Sequence, residues 1–567
     1  MISLLKSYKA LVTLVIALAL GQQMLNLIVP KIISKAINTF ALGVFSMPTI
    51  LTEFAVVAGG IFILGALLAV FQTYVSEKVA RDLRNQLASK VSRQDFLYVQ
   101  RKTPGILLTN FSSDIDAVKQ FVSQAVPTVL SSLFVIIGAA YFLLSINWQL
   151  GLAVLSIVPL IGTALFGLFG FIRPLFKKGQ EVIDKLNSVI NESILGAAII
   201  RVLNSQVIEY NRFIKTNTEA KDVGMQILKM FAGLIPLITL IANGAMLVMV
   251  LLGGRFIING TLTIGDFAAF MTYLGILIFP IFMLGFMSNA ISRAGVSYAR
   301  IEEVLKAPEE KEGGDDVVNF KGELSVTDVS LAYETKTILK NATFHVHPNT
   351  KTAIIGPTAA GKTQLLYLLS GLTKPDAGTI AYDSKPMFDY DQKQLRQHLG
   401  IVFQDSVLFN LTLRENIAFG QNVGERDLQL AIETAELGDF VNSLEHGLDT
   451  LVSERGTNLS GGQKQRIMLA RALAHAPNIL FLDDFTARVD ANTERKVLAN
   501  IENNYPHLTL VSVTQKVTNT EAYDQIILLM EGEILAVGTH TELMKTSPEY
   551  VQIVDSQRST NAYELQS

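Results

Sequence analysis

The sequence predicts an α-helical membrane domain of six long transmembrane helices followed by an α/β domain. Three observations carry this. Half of the 567 residues are apolar and only 17% are charged, and the mean hydropathy of +0.37 is high for a soluble chain of this size. That average hides a division, because long apolar runs fill residues 1 to about 305 and an ordinary soluble composition begins near 315. In the second part short β-branched runs alternate with helical patterns, which indicates a largely parallel sheet.

A spanning helix needs about 20 mostly apolar residues. Stretches near 9–38, 51–75, 126–147, 149–172, 231–258 and 265–290 qualify. The first run, from about Ala10 to Val29, is too long for the apolar core of a signal peptide, and no small-residue cleavage site follows it. Only "SINW" separates the third stretch from the fourth, which reads as a tight turn at a membrane face. Segments 76–125 and 173–230 are long, charged and helix-periodic, with Lys78, Arg81, Arg84, Lys90 and Arg93 in one and Lys177, Lys178, Lys185, Arg201 and Arg212 in the other. The remaining connections have almost no Lys or Arg, so the positive-inside rule places the long segments and both termini in the cytoplasm. The charged segments are expected to extend the spanning helices beyond the membrane. Turns at their tips, near Ser112–Ala117 and Leu203–Glu209, are placed to dock on another domain.

Polar residues inside apolar spans usually face the interior of the bundle. Gln22, Gln23, Asn26 and Asn243 are such residues, and Phe279, Phe282, Met283, Phe286 and Met287 add a flexible apolar set. Gln22, Asn26, Asn243, Phe282 and Phe286 form the expected substrate cavity. Helix-to-helix bonding and lipid-facing packing are the other uses of such side chains. Few charges in the spans argue against small ionic substrates. A net charge of −3 points to no nucleic-acid partner, and the absence of cysteine excludes disulfides and thiolate metal sites.

Residues 307–321, "APEEKEGGDDVVNFK", read as an exposed linker between a membrane domain at 1–306 and a second domain at 322–567. Inside the second domain, "GPTAAGKT" fits G-x-x-x-x-G-K-[ST] with Gly356, Pro357, Thr358, Ala359, Ala360, Gly361, Lys362 and Thr363. The strand "KTAII" precedes it and the helix "TQLLYLLSGL", which begins at Thr363 and includes Gln364, follows. Backbone N–H groups of such a loop wrap phosphates. Lys362 then reaches the β- and γ-phosphates, and the Thr363 hydroxyl binds Mg²⁺. "ILFLD", about 120 residues on, delivers Asp483 at the end of a buried strand, where it can hold Mg²⁺ through water. Between them lies "LSGGQKQR", whose serine and glycines open a helix and offer an anion-binding surface.

Together these motifs resemble the ATP-binding cassette (ABC) family, in the arrangement of an exporter-type half-transporter. The resemblance implies a cassette with a RecA-like core and a helical subdomain, ATP and Mg²⁺ as cofactors, and an ATPase-coupled multi-pass transporter in a bacterial inner membrane with its cassette in the cytoplasm. It implies that Tyr333 stacks on adenine and that Gln404 touches Mg²⁺ and links to the membrane domain. Leu459, Ser460, Gly461, Gly462 and Gln463 would contact ATP held by a second cassette, and Asp490 would lie on the loop that crosses between cassettes. The tip turns match the coupling helices.

Two catalytic positions depart from the family pattern. Asp484 stands where a glutamate polarises the attacking water, and Gln515 stands where a histidine is usual. Ala359 and Ala360 replace a glycine and a small polar residue, and Arg488 departs from small residues in the crossing loop. Intact binding residues beside altered catalytic ones imply the degenerate-site subunit of a heterodimeric multidrug-type exporter of hydrophobic or amphipathic compounds. Its partner would be a second half-transporter with Glu and His in place, and its surroundings membrane lipid. A lipid or peptide flippase, a slow homodimeric ATPase and a nucleotide-gated channel are the rival readings.

Overall fold

In a computed structural model the described residues are 7–564, except 103, 310–312, 315–320, 334–335, 406, 421–422, 454–455 and 518–519. Most of the expected linker therefore falls outside them. The chain forms two units, one of residues 1–92 and 102–307, the other of residues 93–101 and 308–567.

The first unit is all helical. Its long helices are α1 (Lys9–Ala41), α2 (Met47–Val91), α3 (Pro104–Ile146), α4 (Ile157–Leu195), α5 (Gln206–Ile258) and α6 (Ile264–Lys306). Among the described residues five of these, all but α4, are long and apolar enough to cross a membrane. The expected fourth span falls on Trp148–Leu155 and the start of α4, where the apolar stretch found runs only over Trp148–Thr163. α2 and α5 run unbroken from apolar into charged sequence, as 45- and 53-residue helices. "SINW" does make a tight turn: Asn147 leaves helical geometry and its side chain accepts from the Leu150 N–H, capping the next helix.

α1 packs on α2, α3 and α6, whereas α4 pairs chiefly with α5. The end of α6 is clasped to α1 by polar contacts. Asp266 accepts from the Ser34 hydroxyl at 2.8 Å, and the Gly265 N–H donates to Asn38 Oδ1 at 2.9 Å. Backbones approach so closely there that a Cβ on Gly265 would meet the Ser34 carbonyl oxygen at 2.2 Å.

The expected tip turn at Ser112–Ala117 is not a turn. These residues lie inside α3, in a π-helical stretch at Asn110–Asp114 and the α-helix that follows. The Ser112 and Ser113 hydroxyls are satisfied within the helix, donating to the Leu108 and Thr109 carbonyls. Asp114 is buried against α6, accepting from Ser297 and Arg300 at 2.8 Å each. The chain breaks earlier, after Ser92, and the short helix Phe96–Lys102 lies mostly within the second unit. The other tip does turn near Leu203–Glu209, between Ala197–Val202 and α5. Its apolar side chains are bare: Leu195 is 78% exposed, Val202 82% and Val207 70%.

The second unit holds strands β1 (Leu324–Tyr333), β2 (Lys336–Val346), β3 (Lys351–Ile355), β4 (Ala377–Tyr382), β5 (Lys385–Pro386), β6 (Leu399–Val402), β7 (Ile479–Asp483), β8 (Thr509–Thr514), β9 (Gln525–Met530) and β10 (Glu533–Gly538). β2-β1-β4-β5 form an antiparallel sheet, and β10-β9-β3-β8-β7-β6 form a sheet that is parallel except at β10. The parallel strands are buried on both faces, as continuous apolar runs require. Ala353, Ile355, Leu480, Leu482, Leu510, Ile526 and Leu528 enter one core. Their neighbours in sequence Ile354, Ile479, Phe481, Val511, Val513, Ile527 and Leu529 enter the other, which is the period-two signature of a strand. Adjacent parallel strands β3, β8 and β7 end side by side, and ligands in such sheets bind beyond their carboxyl ends.

Candidate nucleotide site

Those three ends carry the expected residues. β3 leads through Gly356 into the phosphate loop, β7 ends at Asp483 followed by Asp484, and β8 ends at Thr514 followed by Gln515. Gly356 is required sterically, because a Cβ there would come within 2.0 Å of the Leu529 carbonyl oxygen. Gly361 has φ +101° and caps the helix Lys362–Leu369, a conformation glycine adopts freely.

Ala359 has φ +65°. An L-residue pays about 1–2 kcal/mol in this left-handed region. Ala359→Gly should relieve about 1 kcal/mol of that strain and raise the unfolding midpoint of the chain by a few degrees. Thermal denaturation of both proteins in the same detergent checks this, and an unchanged or lower midpoint would show the loop is not strained.

Lys362 is buried, and its ammonium donates to the Gly356 and Pro357 carbonyls at 2.8 and 2.7 Å. Burial pushes its pKa down, while Asp484 and Asp483 oppose that shift. The Thr363 hydroxyl donates to Asp483 Oδ1 at 3.2 Å. Asp483 is 2% exposed and its Oδ2 has no hydrogen-bond partner among the described residues. Burial pushes its pKa up, against the Thr363 hydrogen bond. A buried carboxylate oxygen without a donor fits a site for a hard cation.

Asp484 and Gln515 meet. Gln515 Nε2 donates to Asp484 Oδ2 at 3.3 Å, and the Thr358 hydroxyl donates to Gln515 Oε1 at 3.3 Å. Asp484 itself sits at φ +48°, a region that aspartate tolerates better than most side chains. Sequence reading missed Gln557, whose side chain holds this segment from a distant helix. It donates to the Gln515 carbonyl at 2.6 Å and accepts from the Val517 N–H at 2.8 Å. It missed Gln465 too, which donates to the Gln404 carbonyl at 3.0 Å; the Gln404 side chain is exposed. Gln557 stands in no motif, whereas Gln465 lies inside "LSGGQKQR", where the motif marks the helix start but not this bond.

Tyr333 donates from its hydroxyl to Gln364 Oε1 at 2.5 Å, and Arg101 lies 5.9 Å over its ring. In the same unit Phe96 meets Tyr367 of the loop's helix edge-on at 5.2 Å.

Ser460 caps the helix Gly461–Leu473 through a capping box, accepting from the Gln463 N–H while Gln463 Oε1 accepts from the Ser460 N–H. Leu459 packs on the core. Gly461 and Gly462 lie against Arg488, so that a Cβ on Gly462 would meet the Arg488 carbonyl at 3.0 Å. Asp490 is spent locally, as cap of the helix Ala491–Asn504 through the Asn492 and Thr493 N–H groups.

Of the expected substrate residues, Asn26 lines a cavity of the membrane unit beside Gln23. Gln22 packs toward Gly65, where a Cβ would meet its Nε2 at 2.8 Å. Asn26 donates to Gln23 at 3.2 Å. Asn243 is exposed on α5. Phe282 and Phe286 pack on each other, ring centroids 4.8 Å apart, and Phe286 stacks on Phe231.

A helical membrane unit joined to an α/β unit with a phosphate loop, a strand-end aspartate and a capped Ser-Gly-Gly helix defines an ATP-driven membrane transporter. Comparison with known proteins agrees. Residues 12–281 match the family model of the ABC transporter transmembrane region and residues 339–487 that of the ABC transporter. The chain is 31% identical over 98% of both lengths to the uncharacterized ABC transporter ATP-binding protein YfiB of Bacillus subtilis. It is 30% identical to an ATP-dependent lipid A-core flippase of Burkholderia orbicola, over 85% of this chain and 82% of that one. A bacterial Atm1-family ABC exporter with ATP bound has the same fold, with a TM-score of 0.79 at 24% identity and 98% coverage of each chain. The chain belongs to the ABC transporter family. It is an integral membrane protein that binds ATP and couples ATP hydrolysis to transport.

Proposed function

We propose that this chain is one half of a heterodimeric exporter, spanning a bacterial inner membrane six times with its cassette in the cytoplasm. Its membrane domain is residues 1–306 and its cassette 322–567. Its own ATP site binds nucleotide and turns over slowly, and its Ser460–Gln463 segment completes the site of a partner that carries Glu and His. The amide of Gln515 bonding Asp484 is the observation that carries this reading. The carboxylate is short by one methylene and is engaged by an amide that can neither titrate nor carry charge.

Tyr333 offers its ring to adenine, and the backbone of Gly356–Thr363 with Gln364 takes the phosphates. Thr363, Asp483 and Gln404 would hold Mg²⁺, which supplies charge neutralisation at the phosphates when bound. The bare apolar tip at Leu195–Val207 supports a partner, because an apolar patch outside the membrane marks an interaction surface. In this reading it docks on the cassette of the second half.

The test is nucleotide trapping in the assembled pair. With radiolabelled ATP and photo-crosslinking, this chain should retain intact ATP through many turnovers while the partner releases ADP. Equal hydrolysis at both sites, or full-speed ATPase from this chain paired with itself, defeats the proposal. Relatives named lipid A-core flippases favour a second reading, in which the cargo is a lipid.

A further inference from the structure

The helix Pro548–Glu564 of the second unit carries Tyr550, Val554 and Gln557 at the i, i+4, i+7 spacing of a single helix face. The first two are core residues. Tyr550 is fully buried, its hydroxyl meets His540 Nδ1 at 2.7 Å, and its N–H donates to the Ser547 hydroxyl at 3.3 Å. Val554 enters the same core as Leu510 of β8 and Val517. Packing thus fixes this face, and the third residue on it is polar.

Gln557 spends both ends of its amide on one segment. Its Nε2 donates to the Gln515 carbonyl at 2.6 Å, and its Oε1 accepts from the Val517 N–H at 2.8 Å. A carbonyl and an N–H two residues apart are what one residue of a parallel strand would bond. The sheet pairing of β8 ends at Thr514, so the side chain continues that ladder by one step.

The step matters because of what stands on it. The Gln515 side chain bridges two parts of the nucleotide site, donating to Asp484 Oδ2 and accepting from the Thr358 hydroxyl, each at 3.3 Å. Thr358 belongs to the phosphate loop, and Asp484 follows the end of β7. Both bonds are long, and a small shift of the backbone beneath them would break them. The loop could then open away from the strand end at lower cost.

We infer that Gln557 is a positioning residue of the ATP site. It fixes the backbone of residues 515–517, so that Gln515 ties the phosphate loop to Asp484 and slows the escape of bound nucleotide. It acts through Gln515. The inference concerns how long nucleotide stays, and it holds whether the site turns over slowly or fast.

The test uses the full chain in nanodiscs with Mg²⁺. It follows dissociation of a fluorescent, non-hydrolysable ATP analogue, mant-AMP-PNP, chased with excess ATP. Gln557→Leu prolongs the apolar face of Tyr550 and Val554. It should raise the dissociation rate at least fivefold, the scale of about one hydrogen bond, and leave the association rate within twofold. Gln515→Ala should raise dissociation by a similar factor. Adding Gln557→Leu to Gln515→Ala should raise it by less than a further twofold. A helix that merely stabilised the fold would shift the rate equally in both backgrounds. Gln557→Glu is the second variant, should the first not fold. Its carboxylate can accept from Val517 but cannot donate to the Gln515 carbonyl, and dissociation should quicken at least threefold. An unchanged dissociation rate in a folded variant, or full additivity with Gln515→Ala, overturns the inference.

Discussion

Asp484→Glu combined with Gln515→His should raise hydrolysis at this chain's own site by about 100-fold, the scale on which a misplacement of about 1 Å costs an enzyme. The physical case lies in the geometry around residue 484. Its carboxylate accepts from Gln515 at 3.3 Å, and Gln515 in turn accepts from Thr358. A glutamate extends the carboxylate by one methylene toward the phosphates, and an imidazole replaces an amide with a group able to carry charge. Neither change alone should suffice. Asp484→Glu alone leaves the Gln515 amide on the carboxylate, and Gln515→His alone leaves the short side chain. The backbone at 484 also matters, since φ +48° suits Asp better than Glu and will cost part of the gain. Single-turnover release of phosphate from the assembled pair, with the partner's site inactivated, measures this. A double variant no faster than the parent would place the defect elsewhere.

Gly462→Asp should have the opposite reach. It should abolish steady-state ATPase of the pair, by a factor on the order of 100 to 1000, as loss of a stabilising donor set does, while ATP binding to this chain's own phosphate loop stays unchanged. The new side chain would press on the Arg488 carbonyl, which a Cβ already meets at 3.0 Å. It would also place a negative charge at a helix start whose N–H groups favour anions. ATP affinity read on this chain and turnover read on the pair separate the two effects. If turnover survives, the Ser-Gly-Gly segment serves no second site.

Much of the nucleotide site was legible because its chemistry demands fixed residues at fixed spacing. Gly356 tolerates no side chain, Lys362 must reach back over its loop, and Asp483 must end a strand buried on both faces. Those demands are local, so the order of residues reveals them. The membrane half obeys weaker rules. Gln22 and Gln23 are neighbours in sequence, yet a helix turns about 100° per residue, and one faces Gly65 while the other lines the cavity. Polarity shows that such residues matter without showing their azimuth. The tip turn failed for a related reason. Ser112, Ser113 and Asp114 resemble a turn in composition, but their hydroxyls return to helix carbonyls and the carboxylate finds Ser297 and Arg300 far along the chain. Gln557 was invisible because its two bonds to the 515–517 segment cross about 40 residues.

The uncovered tip beside Leu195 and Val207 bears on how the cell must make this protein. On the proposed pairing, a half synthesised without its mate keeps a greasy end in water, where chaperones and proteases sort chains by such surfaces. Under that proposal, matched synthesis of the two polypeptides sets how many working transporters accumulate, and an unmatched surplus is cleared.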